Sequence, residues 1–526
     1  MSTPVEELRS AVERASGASP TLERPKTARF GDFSTNAALL LAPRLGEPPR
    51  DVAERLGETL REELGDRLDR VEVAGPGFLN LFLADAWFRD ALERILADES
   101  FGAGAPEVAE RVLIEFVSAN PTGPLTAAGG RHAAYGDSLA RILSLAGHSV
   151  EREYYFNDAG AQIRLLGESI RARARGEAVP EGGYEGEYVA ELVDALPDAA
   201  GADVDELSRA GVAVLIGQIQ ATLSRFGVEF DTWFREASLH EGDPSQVDVA
   251  LSRLRESGAV YESDGAVWLR TTDFGDDKDR VLVRSSGEGT YFAADVAYHL
   301  NKLSREFDRL VNVLGADHHG YIGRMKGLFA ALGADPEMLE VLIMQFVHIV
   351  EGGRRASMSK RRGEFVTLDE LLDEIGVDAT RFFMLQRSHD TTIDLDLDLA
   401  REESAENPVY YVQYAHARIA SILEKAGTRS PSASVDVSLE PAERALVLKL
   451  LAFPGEVGEA AERRAPHRIA TYALELAQEF TAFYRDCKVV GVEEDVEAFR
   501  LALCVASRRT IARALELLGV SAPESM

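Results

Sequence analysis

The chain has 526 residues, of which 45% are apolar and 28% charged, with 44 Gly and 20 Pro. At about 100 to 200 residues per domain this length holds roughly three hydrophobic cores, which excludes a single small module, a fibrous protein and a broadly disordered one. With 57 bases against 88 acids the net charge is -31, which repels polyanions at long range and excludes indiscriminate nucleic-acid binding but leaves room for a local basic site.

Residues 5–15 and 52–64 carry apolar positions at helical spacing, and 71–83 reads as a strand pair around Gly75-Pro76-Gly77. Together they predict a small α+β domain over residues 1–100. A Gly- and Pro-containing stretch at 101–106 marks a boundary, after which a Rossmann-like domain is expected over 108–390. Its start is a βαβ unit: an apolar strand at 112–116, a Pro/Gly loop at 120–130, a helix at 131–146 and a strand at 150–156. A helical section broken by the Gly-rich stretch 176–186, then a β-meander within 260–283 around Asp264-Gly265, read as an insertion near 165–288 that splits the sheet. The alternation resumes with a helix at 293–307, a strand at 310–314, a helix at 323–332 and a strand at 341–350. From residue 402 the pattern is helical, with a Ser/Pro linker at 429–434, and an all-helical bundle domain is expected over 395–526. The N-terminal residues carry no basic apolar leader, and the most apolar later stretch, 338–350, is too short and interrupted to span a bilayer, so a cytoplasmic protein with no membrane association is expected. The two cysteines, Cys487 and Cys504, build neither a disulfide framework nor a zinc cluster and read as core thiols.

Two loops carry the chemistry. Residues 118–130, which include Asn120, Pro121, Thr122, Gly123 and Pro124 and end on Gly129-Gly130, lie between a strand and a helix N-terminus. In an open α/β sheet that is the ligand crevice, where backbone N–H groups favour phosphate; on its residues alone the loop reads equally well as a ligand-free connector. Residues 352–363 hold five bases and no acid, a composition suited to a triphosphate, with a solvated basic turn as the lesser alternative. Lys360 in that loop is one of only eight lysines among the 57 bases, so lysine is an uncommon choice here. His318 and His319 have no third and fourth ligand spaced to join them, which leaves a nucleotide-edge or packing role and no metal site. The alternation through Asp394, Asp396 and Asp398 lacks the spacing and glycine of a calcium loop and reads as a solvated face. Tyr410, Tyr411 and Tyr414 are placed to stack on unpaired bases or, at helical spacing, to fill a core.

Ser357-Met358-Ser359-Lys360-Arg361 closely matches the KMSK signature of class I aminoacyl-tRNA synthetases, with Lys360 on its second lysine. The segment 118–131, together with YYFNDAGAQ at 154–162, GADHHGYIG at 315–323, EFVTLDEL at 364–371 and NPVYYVQYAHAR at 407–418, resembles the arginyl-tRNA synthetase family in order along nearly the whole chain. FGDFSTN at 30–36 and GPGFLN at 75–80 resemble that family's N-terminal domain. The resemblance implies a class I catalytic domain between an N-terminal tRNA-contacting domain and a helical anticodon-binding domain. It implies the substrates L-arginine, ATP with Mg²⁺ and tRNA(Arg), no tightly bound cofactor, a monomer, and activation that needs tRNA.

The resemblance implies an arginine site of Glu115, Asn120, Tyr291, Asp295 and Asp317. A planar five-donor cation is well matched by such carboxylates, and Tyr291 lies four residues before Asp295 on one helix face. It implies ATP contacts at Pro121, Thr122, Gly123, Pro124, Gly130, His318, Met358, Ser359 and Lys360, and tRNA contacts at Phe78, Asn80, Tyr410 and Tyr414. One departure is large. Where the family has its HIGH tetrad the chain reads Thr126-Ala127-Ala128-Gly129, and Ser357 replaces the first KMSK lysine. Catalytic duty is therefore expected of Lys360, the Thr126 hydroxyl, the Gly129-Gly130 N–H groups and His132, which lies one turn further along the helix and reads equally as a surface histidine without a ligand. The expected reaction is activation of arginine as its adenylate and transfer to tRNA; the alternatives are an impaired synthetase-like protein that binds tRNA or arginine, and another adenylate-forming enzyme on the same fold.

Overall fold

A computed structural model describes residues 3–318, 320–355 and 366–526. The N-terminal segment is an antiparallel sheet in the order Leu22–Glu23, Phe33–Thr35, Phe78–Leu83, Leu68–Ala74. Along Phe78–Leu83 the period of two puts Leu79, Leu81 and Leu83 on one face, where all three are buried against helices that include Ala37–Leu45 and Pro49–Leu64.

The central sheet has five parallel strands in the order Leu339–Met344, Arg309–Gly315, Arg111–Glu115, Ser149–Phe156, Thr232–Arg235. Two features differ from expectation. Thr232–Arg235 comes from within the expected insertion and forms an edge of the sheet; four residues with half-buried faces give too weak a period-two signal to be read from sequence. The single strand expected at 341–350 is two strands, because the chain leaves the central sheet at Gln345-Phe346 and Val347–Glu351 joins a small sheet with Ile393–Asp396 and Arg354–Arg355. The break is held by the buried Arg131, whose guanidinium donates to the carbonyls of Gln345 (2.8 Å), Ser388 (2.9 Å) and Thr391 (2.8 Å). The acidic alternation is a strand whose aspartates lie on the solvent side, as expected: Ile393 and Leu395 are buried, Asp394 is exposed and pairs with Arg355, and Asp396 caps the helix Leu397–Arg401.

The helix Ala127–Leu145 packs on the sheet so closely that a Cβ on Gly136 would sit 2.1 Å from the Phe116 ring. Behind it, Arg381 pairs with Asp137 (2.6 Å) and donates to the carbonyls of Leu518 (2.7 Å) and Phe226 (3.0 Å), which joins the central α/β layer to the C-terminal helix and to the insertion. The C-terminal region is a bundle of Pro408–Ala426, Pro441–Leu451, Phe453–Glu462, His467–Asp486 and Glu494–Leu518, with Cys487 and Cys504 as buried free thiols. Burial pushes the Cys504 thiol up to about 12. No helix among the described residues is long and apolar enough to cross a membrane, and among them no group of three His, Cys, Asp or Glu side chains gathers as a metal site.

The excess of acids has a measurable consequence. Raising KCl from about 0.1 M to about 1 M shortens the screening length from about 10 Å to about 3 Å, which weakens repulsion between exposed acids while the buried pair Arg381–Asp137 is screened far less. The midpoint of thermal unfolding, followed by intrinsic fluorescence, is expected to rise by a few degrees over that range; a constant or falling midpoint contradicts this.

Candidate active site

The strand Arg111–Glu115 ends at the carboxyl edge of the parallel sheet, where open α/β sheets bind ligands. There Val117 and Ser118 take positive φ of 67° and 42°, a strained conformation for a β-branched residue. The turn brings Ser118 back so that its Oγ donates to Glu115 (3.0 Å) and accepts the Tyr155 N–H (3.2 Å). Beyond it opens a cleft of about 450 Å³ whose wall includes Glu115, Asn120, His132, Glu236, Tyr291, Asp295 and His318.

Three carboxylates approach this cleft. Glu115 was expected to take a guanidinium, yet its Oε2 already accepts from the fully buried Lys302 Nζ (2.5 Å), so its charge is matched from within. Asp295, on the helix Tyr291–Ser304, accepts from the Tyr321 hydroxyl; burial, with the Glu236 charge adding to it, pushes its carboxyl up to about 7. Glu236 follows the edge strand and accepts from the Tyr155 hydroxyl (2.5 Å); burial raises it above the ordinary carboxyl range. Among the described residues neither Asp295 nor Glu236 forms an ion pair, although Arg324 near Asp295 and His240 near Glu236 partly offset their charge, so a cation entering here meets two acids that are only partly compensated. Tyr155, Phe234 and Tyr298 pack at 4.5 to 6.1 Å between ring centres as an aromatic base for the site. Tyr291 stands at the mouth, 63% exposed. Asn120 links the loop to the next strand, donating to Gln162 Oε1 (3.3 Å) and accepting the Asn157 N–H (3.4 Å). Asp317 is a correction: the turn Ala316–His318 directs its carboxylate outward, 80% exposed and 3.5 Å from His318, and it is not in the cleft wall.

On the phosphate side the expected substitutes are partly engaged. Thr126 caps the helix by accepting the Gly129 N–H (3.4 Å), and the Gly130 N–H donates to the Thr126 carbonyl (3.0 Å), so neither N–H is left for an anion. The absent side chain of Gly130 serves packing, since a Cβ there would lie 2.7 Å from Leu368. His132 differs: it lines the cleft, its Nδ1 is buried without a partner, and burial holds its imidazole down to about 4, hence neutral near pH 7. The Pro121-Thr122-Gly123-Pro124 turn is clamped from the insertion by Tyr188, whose hydroxyl donates to the Thr122 carbonyl (2.8 Å). Met358, Ser359 and Lys360 lie outside the described residues, as does His319. The chain following the basic loop runs along the crevice, with Ala127 N–H donating to Val366 O (3.0 Å) and Leu368 N–H to Leu125 O (2.8 Å).

Of the residues expected at RNA, Tyr410 and Tyr414 stack with ring centres 6.1 Å apart, and Arg418 lies over Tyr414 (4.7 Å) and Tyr484 (5.4 Å), forming a partly exposed aromatic-cationic ladder that sequence reading saw only in part. Tyr411 instead faces inward and donates to Thr481 Oγ1 (3.1 Å). Phe78 is exposed, as expected, whereas Asn80 is buried, its Oδ1 accepting from Ser34 (3.0 Å), because it pairs in the middle of the sheet. Glu236, Lys302, Tyr321 and Tyr484 were not found from sequence. The only available signal for Glu236 was its place directly after Thr232–Arg235, a strand itself too short to read.

Comparison with known proteins agrees along the chain. Residues 5–83 match the family described as arginyl tRNA synthetase N terminal domain, 202–421 the class I (R) tRNA synthetase catalytic domain, and 412–526 the DALR anticodon binding domain. An arginine–tRNA ligase of Frankia alni is 48% identical, covering 96% of this chain and 94% of the relative. One from Shouchella clausii is 45% identical, again covering 96% and 94%. The structure of Thermus thermophilus arginyl-tRNA synthetase superposes with a TM-score of 0.78 at 26% identity, covering 99% of this chain and all of that one.

Proposed function

The chain belongs to the arginyl-tRNA synthetase family, and from that premise we propose that it selects arginine by seating the guanidinium between Asp295 and Glu236 and activates it without the family's usual histidine pair. The overall activity is that of an arginine–tRNA ligase using ATP. The non-catalytic alternative is not favoured, because the relatives that match along almost the full length are themselves arginine–tRNA ligases.

The observation that carries the pocket reading is the pair of half-buried carboxylates described above, neither of which is ion-paired among the described residues. Two carboxylates accept the paired N–H groups of one planar cation with charge-assisted bonds. Tyr291 closes the mouth, and Asn120 with Gln162 holds the amino-acid end beside the loop. One arginine carboxylate oxygen then attacks the α-phosphorus of ATP, and the bond to the bridging oxygen breaks to release pyrophosphate. A terminal tRNA hydroxyl next attacks the acyl carbon, loses its proton and releases AMP. His132 and His318 face the developing phosphate charge from the cleft wall, while Lys360 and its neighbouring arginines receive the pyrophosphate charge. Mg²⁺ accompanies the nucleotide. Positioning and charge stabilisation supply the catalysis, since little covalent work falls to the protein. The domain limits are taken as 1–100, 108–390 and 395–526, and the protein acts as a cytoplasmic monomer. Charging of bulk tRNA with each of the standard amino acids tests this: only arginine should be esterified, and only with ATP.

The RNA face is read from the ladder Tyr410, Tyr414, Arg418 and Tyr484, with Phe78 contacting tRNA from the N-terminal domain. A base stacked on an aromatic contributes about 1 to 3 kcal/mol, so Tyr414→Ala is expected to raise the KM for tRNA by about tenfold at unchanged kcat. An unchanged KM for tRNA removes the ladder from the interface.

A further inference from the structure

Across three adjacent strands, Asn312, Glu115 and Glu153 are register partners and so stand in one row on one face of the sheet. Two like charges side by side in a core are unfavourable unless countered. The counter-ions come from the Tyr291–Ser304 helix and its C-terminal cap: Lys302 donates to Glu115 (2.5 Å) and Asn312 (3.0 Å), and Arg305 donates to Glu153 (2.6 and 3.0 Å). Tyr298 bridges the row, its hydroxyl 2.6 Å from Glu153 and 3.1 Å from Glu115.

Residues 291, 295, 298 and 302 share one helix face. That face runs from exposed Tyr291, through Asp295 in the cleft, to Lys302 at 0% exposure behind it. The oxygens of Glu115 are turned to Lys302, Tyr298 and Ser118, whereas Asp295 and Glu236 each receive one tyrosine hydroxyl and form no ion pair among the described residues, Arg324 lying near Asp295 without pairing with it. We propose that Lys302 is a positioning residue that sets the charge of the amino-acid pocket: by neutralising Glu115 from behind, it makes that acid part of the wall and leaves Asp295 and Glu236 alone to read the side-chain cation. The proposal rests on the cleft being the arginine site. A compact ammonium suits the position, because it reaches a carboxylate, an amide oxygen and the Tyr298 ring, 4.5 Å away, from one point.

The test is a double-mutant cycle read as KM for arginine against KM for ATP in tRNA-dependent pyrophosphate exchange. Glu115→Gln leaves a buried ammonium uncompensated behind the pocket, which should repel the guanidinium and raise KM for arginine about tenfold or more, with KM for ATP within about threefold of wild type. Glu115→Gln/Lys302→Met removes both charges and should bring KM for arginine back to within about threefold of wild type, a rescue that depends on coupling between the two sites. The cycle does not depend on the single variant Lys302→Met remaining folded. A double variant as impaired in KM for arginine as Glu115→Gln overturns the proposal, because Glu115 would then be holding the guanidinium itself. Asp295→Asn in parallel separates the two readings: if it leaves KM for arginine unchanged, the pocket assignment fails, whereas if it impairs arginine and the double variant is not rescued, only the role of Lys302 fails.

Discussion

Asp295→Asn is expected to lower kcat/KM for arginine activation by about two to three and a half decades at pH 7.5, the equivalent of about 3 to 5 kcal/mol for removing one partner of a buried charged pair. The loss should be accompanied by a gain in stability, which distinguishes it from simple unfolding. Burial holds the Asp295 carboxyl up at about 7, well above the ordinary aspartate value of about 3.9. Because the folded value lies above the unfolded one, ionisation of this group disfavours the folded state, absent below about pH 4, growing through the interval and complete above about pH 7. A neutral amide removes a penalty on the order of a few kcal/mol at pH 8, so the variant should unfold at higher temperature there and show little difference at pH 4. Arginine binding has the opposite preference, since the cation pairs with the ionised form. In the wild type, KM for arginine should therefore rise as pH falls through 7, approaching tenfold per unit, while the Asn variant shows no such limb. Exchange rates measured between pH 6 and 8.5 at saturating ATP and tRNA check both statements.

The second large effect concerns the phosphates. Thr126 is occupied in capping and the Gly129 and Gly130 N–H groups are satisfied within the helix start, so these residues offer no free donor at the positions of the family's tetrad. Under the proposed function the burden passes to His132, whose Nδ1 is buried and unpartnered at the cleft wall, and to the basic loop. A preorganised donor to a developing oxyanion contributes about 3 kcal/mol, so His132→Ala should reduce kcat for exchange by about two decades with KM for arginine nearly constant. Lys360→Ala should reduce kcat by about two decades or more without changing tRNA affinity, because its contact forms chiefly in the transition state. If His132→Ala behaves as wild type, the imidazole is a packing group, and if Lys360→Ala does so, the pyrophosphate charge is carried elsewhere.

The split between what was readable in the sequence and what was not follows contact range. The βαβ unit, the meander and the helical C-terminal region announce themselves through local periodicity, whereas Tyr291 and Asp295 were indicated only by the family resemblance, helical spacing adding that they share a face. The edge strand Thr232–Arg235 and the change of sheet at Gln345-Phe346 have no local signature, because pairing with strands distant in sequence decides them. Glu236 reaches the pocket only through that edge strand and was missed with it. Glu115 was expected as a ligand because the family resemblance places a guanidinium-binding carboxylate there; its partner Lys302 lies 187 positions away and only the fold brings them together. Asn80 shows the same limit, as a polar residue in a strand whose neighbour Ser34 satisfies it away from solvent.

Citrulline has nearly the shape of arginine but no cation, so the pocket should reject it by charge alone: lost charge-assisted bonds and unpaired buried acids cost about 3 to 5 kcal/mol. The direct measurement is tRNA-dependent pyrophosphate exchange by the wild-type protein with arginine and with citrulline at saturating ATP. Reading by Asp295 and Glu236 predicts a kcat/KM for arginine at least about two decades higher. Values within tenfold of each other would contradict recognition of the guanidinium by these two acids.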